Sequence, residues 1–182
     1  MRNLIKALLA LAFALSLFGG IAAAYSPSVA DLDAAARSVG NRRDLAEQAG
    51  EQIFATKWAA EVNQVSANET DGHLILGIRI WGVKFHEPMT REQFVGEVAS
   101  VVEKALAAVP AAEEVDVWTS VPIDVSKDTV VSGDLAKPTS RTVFSITVRR
   151  GETSEQLRAR ALDAKGGVFW DEQWARAAFK ES

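Results

Sequence analysis

The sequence predicts an α+β domain with an antiparallel sheet and helices packed on one of its faces. Three observations carry this reading. Stretches whose apolar residues recur every second position alternate with stretches whose apolar residues share one helical face. Two helix starts carry a reciprocal Thr-x-x-Gln signal, at Thr90/Gln93 and Thr153/Gln156. The chain has 182 residues, 48% of them hydrophobic, which suffices for a single core. There is no cysteine, so a disulfide framework, a thiol nucleophile and a thiolate metal site are all excluded.

Residues 1–24 read apart from the rest. Arg2 and Lys6 precede an apolar run over 7–18, Gly19 and Gly20 interrupt it, and Ala22 and Ala24 present small side chains at a cleavage site. This is the order of a secretory signal peptide. A retained anchor is the alternative, but 7–24 falls short of the ~20 apolar residues of a span. Removal of 1–24 takes two basic residues and no acidic one, leaving the remainder more acidic than the formal −4 of the whole. An acidic chain is a poor match for a phosphate backbone, so no nucleic-acid partner is expected. The basic pairs Arg42-Arg43 and Arg149-Arg150 read as solvated surface.

Residues 25–30 form a Pro/Ser leader, and one domain follows over 31–182. Asp31 can cap a helix over 32–39, closed by Gly40-Asn41. A second helix starts near Asp44, with Leu45, Ala49, Ile53 and Phe54 on one face. Trp58, Ala60 and Val62 alternate as a short strand, although Val65 breaks the pattern, and 68–72 has the composition of a turn. The clearest strand is 74–85. Leu74, Leu76, Ile78 and Ile80 point one way, Ile75, Arg79 and Trp81 the other, and a bulge at Gly82 accounts for Val83 and Phe85.

Thr90/Gln93 opens a helix to about Ala108, with Phe94, Val98, Val101, Ala105 and Leu106 on one face, and Pro110 stops it. Val115, Val117, Val121 and Ile123 alternate in the next strand, and Thr142, Phe144, Ile146 and Val148 in the one after, joined by a polar loop over 126–140. Thr153/Gln156 opens another helix, ended by Gly166-Gly167. Residues 168–170 give a short closing strand and 172–180 a last helix. From Leu74 the order is βαββαβ, that of a ferredoxin-like split βαβ sandwich preceded by N-terminal helices. The strands of Leu74 and Thr142 would then be central.

Candidate sites are few. His73 and His86 flank one strand and would lie ~43 Å apart along it if straight, too far to share a metal. Asp116 and Asp124 sit eight residues apart on one strand, too far for a shared site if it is straight, no nucleophile elbow or Gly-rich phosphate loop is present, and Asn68-Glu69-Thr70 matches a glycosylation sequon that chance explains. No catalytic set, metal site or cofactor is therefore expected. Arg79, Trp81 and Trp118 are the candidate binding residues: they fall on the face opposite the main apolar stripe, joined by Ile75 and Val143. Either the N-terminal helices cover that patch through Ile53, Phe54 and Trp58, or it is a binding surface.

The expected function is an exported, periplasmic or secreted cell-envelope module. It binds an envelope protein or self-associates without catalysis, and meets a membrane only through an uncleaved signal segment. An exported hydrolase with a carboxylate or serine site, and a small-ligand carrier with Trp58, Trp81 and Trp118 around its pocket, are the alternatives.

Overall fold

A computed structural model describes residues 36–83, 85–123 and 140–180. The expected signal segment, the leader, Asp124 and the loop over 126–139 lie outside these residues. Ten elements follow one another: β1 (Ser38–Val39), α1 (Arg43–Phe54), β2 (Glu61–Thr70), β3 (His73–Trp81), α2 (Arg91–Ala108), β4 (Glu114–Pro122), β5 (Ser140–Arg149), α3 (Ser154–Leu162), β6 (Phe169–Trp170) and α4 (Glu172–Ala178).

The α+β class holds, but the sheet is mixed. Its six strands lie in chain order, β1 to β6. β1 runs parallel to β2 and β3 parallel to β4, while the β2–β3, β4–β5 and β5–β6 pairs are antiparallel. The split βαβ order is therefore not formed: β3 and β4 are direct neighbours, and β4 separates the Leu74 and Thr142 strands. The reason lies in β2. Asp71 (φ 52°) and Gly72 (φ 82°) make a two-residue turn that matches strand twist, and this local hairpin fills the β3 edge that a split fold would keep for its last strand. The last strand, β6, pairs with β5 instead.

Three further expectations change. Ser38 and Val39 form β1 rather than the end of a helix, so α1 is a crossover between β1 and β2 and not a helix preceding the sheet. β2 is longer than the short strand expected and includes Asn68–Thr70; its register shifts between Val62 and Gln64, which lets Val62 and Val65 both face the core. Gly82 is not a bulge. β3 ends at Trp81, and a Cβ at Gly82 would lie 2.7 Å from Thr119 Cγ2, so its bareness admits Thr119 and the neighbouring Trp174.

The helices form as their sequences indicate. In α2, the Thr90 backbone N–H donates to Gln93 Oε1 (2.8 Å) and the Gln93 N–H to Thr90 Oγ1 (3.3 Å). Thr153 and Gln156 repeat this at α3 (2.9 and 3.2 Å). That helix stops at Leu162, before the glycine pair. α2 buries Phe94, Val95, Val98 and Val102. α1 packs on α2 and α2 on α3, and their buried residues join Leu76, Ile78, Val117 and Ile146 in one core. The helices thus make one layer. Phe94, Phe144, Trp170, Trp174 and Phe179 close one end of the core, with Phe94 and Phe144 centroids 5.3 Å apart. The basic pairs are more than solvated surface. Arg150 donates to the carbonyls of Leu106, Val109 and Ala112 at the end of α2, and Arg42 holds Asp44 and Glu69.

Candidate functional site

The strand pleat sends one side of β2–β5 to the helices and leaves the other a separate face. The register sets that face out in rows. Glu61, Trp81, Ser120 and Thr142 form one; Gln64, Arg79, Trp118 and Ser145 the next; Ser66, Gly77, Asp116 and Thr147 the third. Arg79, Trp81 and Trp118 therefore meet as the sequence indicates, with Ile75 one row beyond Gly77. Val143 does not join them. It lies beside the register shift in the β4–β5 pair and is fully buried in the core. Among the described residues the N-terminal helix α1 does not cover the patch, because it lies in the helix layer with Ile53 in the common core.

The guanidinium of Arg79 is held on three sides. Its Nε donates to Ser120 Oγ (2.9 Å), its Nη2 to Ser140 Oγ (3.1 Å), and its carbon lies 5.4 Å from the centre of the Trp81 ring. Across β4, Trp118 extends over Gly77, where a Cβ would come within 2.9 Å of its Cζ3. Both indoles and Arg79 are half-buried. The serines that fix Arg79 escape sequence reading, since Ser120 is buried and Ser140 begins a strand beyond the β4–β5 connection. The lone glycine in the β3 pattern is the signal that could have shown the seat of Trp118.

The arginines differ in what meets their charge. Arg42, Arg43, Arg91, Arg141, Arg149 and Arg160 each pair with a carboxylate, whereas Arg79 has only hydroxyl partners among the described residues. Asp116 is occupied by Thr147, whose Oγ1 donates to it over 2.6 Å.

Other candidates remain apart. His73, at the start of β3, bonds Glu113 through Nδ1 (2.9 Å), and this hydrogen bond together with the carboxylate charge raises its pKa above the ordinary value. His86 lies beyond the other end of β3, where its backbone N–H reaches Ala59 O. Among the described residues no three His, Asp or Glu side chains gather as a metal-binding group. Asn68 accepts from the Asn41 backbone N–H. A cleft of about 730 Å³ is lined by Lys57, Trp58, Glu61, His86, Glu87 and Glu97 among others, but not by Trp81 or Trp118. Glu97 accepts the N–H groups of Ala59 (3.0 Å) and Ala60 (2.7 Å), so its carboxylate secures the loop that walls this cleft. No described helix is long and apolar enough to cross a membrane.

No family model, curated protein or solved structure matches this chain.

Proposed function

We propose that the chain is an exported, non-enzymatic module of the cell envelope, periplasmic or secreted, that binds a protein partner through the open face of β2–β5. The observation that carries the reading is the meeting of Arg79, Trp81 and Trp118 on a sheet face away from the helix layer. Half-buried indoles with a fixed cation between them are the residue types that dominate binding energy at protein interfaces. The export part of the reading rests on residues 1–24.

The test is light scattering and partner capture with the purified chain, alone and with envelope extract, against the double variant Trp81→Ala/Trp118→Ala. A defined complex, with another protein or with a second copy, that the double variant fails to form supports the reading. A monomer that captures nothing, or capture unaffected by the double variant, rejects it. A carrier of small ligands is a second reading, favoured by the cleft at Trp58. It predicts a ligand-dependent change in tryptophan fluorescence that Trp58→Phe removes. Ester, peptide or glycan hydrolysis abolished by one Asp or Ser substitution would instead make the chain an exported hydrolase.

A further inference from the structure

We infer that Arg79 is the anchor for a single carboxylate on the protein partner, carried between apolar side chains in an extended segment laid along β3. This rests on the binding-face reading above and names what the face recognises. Guanidinium has five N–H donors in a planar fork. The Nε side of the Arg79 fork is occupied by Ser120 Oγ and one Nη2 bond by Ser140 Oγ, while Nη1 has no partner among the described residues. A carboxylate approaching the Nη1–Nη2 end can accept two parallel bonds, the geometry for which arginine is best suited. A half-buried cation with no counter-charge in contact among the described residues is costly to keep, and the stack on Trp81 offsets only part of that cost.

The surroundings select among anions. Glu61 and Asp116 each stand one strand and one row away, roughly 8 Å in Cα position by strand geometry. A polyanion, whether a phosphate backbone, an acidic glycan or a charged lipid surface, would set its further charges against these two carboxylates. An isolated acid would not. Apolar groups lie on both sides of Arg79 along β3, Trp81 toward one end and Ile75 toward the other, with Trp118 beside it on β4. From Trp81 to Ile75 is ~20 Å of extended strand, far longer than a small free acid and suited to a segment of about six residues.

The experiment titrates the purified chain, labelled with nitrogen-15, with the peptide acetyl-Leu-Ser-Glu-Thr-Leu-amide, its Gln counterpart and polyglutamate. The indole Nε1–H signals of Trp81 and Trp118 and the Nε–H of Arg79 are followed. The Glu peptide is expected to shift all three, the Gln peptide to bind about ten-fold more weakly, and polyglutamate to bind no better than the Glu peptide. Arg79→Lys, which keeps the charge but loses the fork, should weaken the Glu peptide about ten-fold, and Arg79→Gln should make the two peptides equivalent. Equal affinity for the Glu and Gln peptides, tighter binding of polyglutamate, or no response of these signals overturns the inference. Its failure is separable from that of the binding-face reading: partner capture lost in Trp81→Ala/Trp118→Ala but kept in Arg79→Gln leaves the face and removes the carboxylate.

Discussion

The two faces of β2–β5 share one backbone and differ in what fills them. On the helix side, Val65, Ile78, Val117 and Ile146 lie in one register row, and all are almost fully buried. On the open side, the adjoining row is Gln64, Arg79, Trp118 and Ser145, half-buried and held by hydrogen bonds and ring contacts. The side chains of the first row have no polar atom to satisfy and are stabilised by area removed from water and close packing. Together with Trp81, Ser120 and Ser140 beside it, the second row brings a charge, two hydroxyls on that charge and two indoles together, an arrangement that contributes little to a core but much to recognition. A change on the helix side should therefore be read in stability, and one on the open side in binding.

Val98→Asp is the harshest test of the first half of that contrast. Val98 is fully buried in α2, and an aspartate there has no described partner. The expected loss is about 3–5 kcal/mol, enough to abolish cooperative thermal unfolding seen by circular dichroism. A normal melt would mean that the helix layer is not where the structure puts it.

A pair of glycine substitutions compares the faces directly. At Gly82, added bulk meets Thr119 Cγ2, a rigid group with nowhere to go in the core, and Gly82→Ala should cost about 1–3 kcal/mol. At Gly77 the obstacles are the ends of the Ser66 and Trp118 side chains, and the half-buried Trp118 indole can tilt away. Gly77→Ala should cost less than about 1 kcal/mol, yet shift the Trp118 indole signal and weaken partner capture. Equal losses of stability at the two sites would erase the distinction between the faces. Thr119→Val sharpens it from the other direction. Thr119 Oγ1 is buried with no hydrogen-bond partner among the described residues, so replacing it by a methyl should raise stability by about 1 kcal/mol in urea unfolding.

Local rules were the most legible. The reciprocal bonds of Thr90 with Gln93 and of Thr153 with Gln156 join neighbours in the chain, so composition alone announces them. The alternation of β3 likewise placed Arg79 and Trp81 on one face, and Trp118 joined them because β4 keeps the same phase against β3. β2 was obscured by its own irregularity: the shift near Asn63 breaks the two-residue period, and Gln64, Ser66 and Asn68 give its open side a loop-like composition. With that strand read as short and left out of the βαββαβ order, the neighbour of β3 is lost and the strand order goes wrong. The serines around Arg79 depend on pairing distant in sequence, which no periodicity reports.

The rim between the faces offers the smallest effect. His73 and Glu113 form an exposed pair at the starts of β3 and β4, and their hydrogen bond raises the folded-state pKa of the imidazole. The sign follows from linkage: a raised folded pKa means that the folded state holds the proton more tightly than the unfolded chain. Its contribution to stability is then complete below the unfolded value of about 6.5 and is lost as pH rises through the higher folded value. The advantage of the natural chain over His73→Gln in melting temperature should therefore be larger at about pH 5.5 than at about pH 8.5. Because both side chains face solvent, added salt should shrink that difference at the lower pH. Partner capture through the open face should stay the same in His73→Gln, since the pair lies at the rim and not beside Arg79. A pH response that survives the substitution would place the titrating group elsewhere, and loss of capture would extend the binding face to the rim.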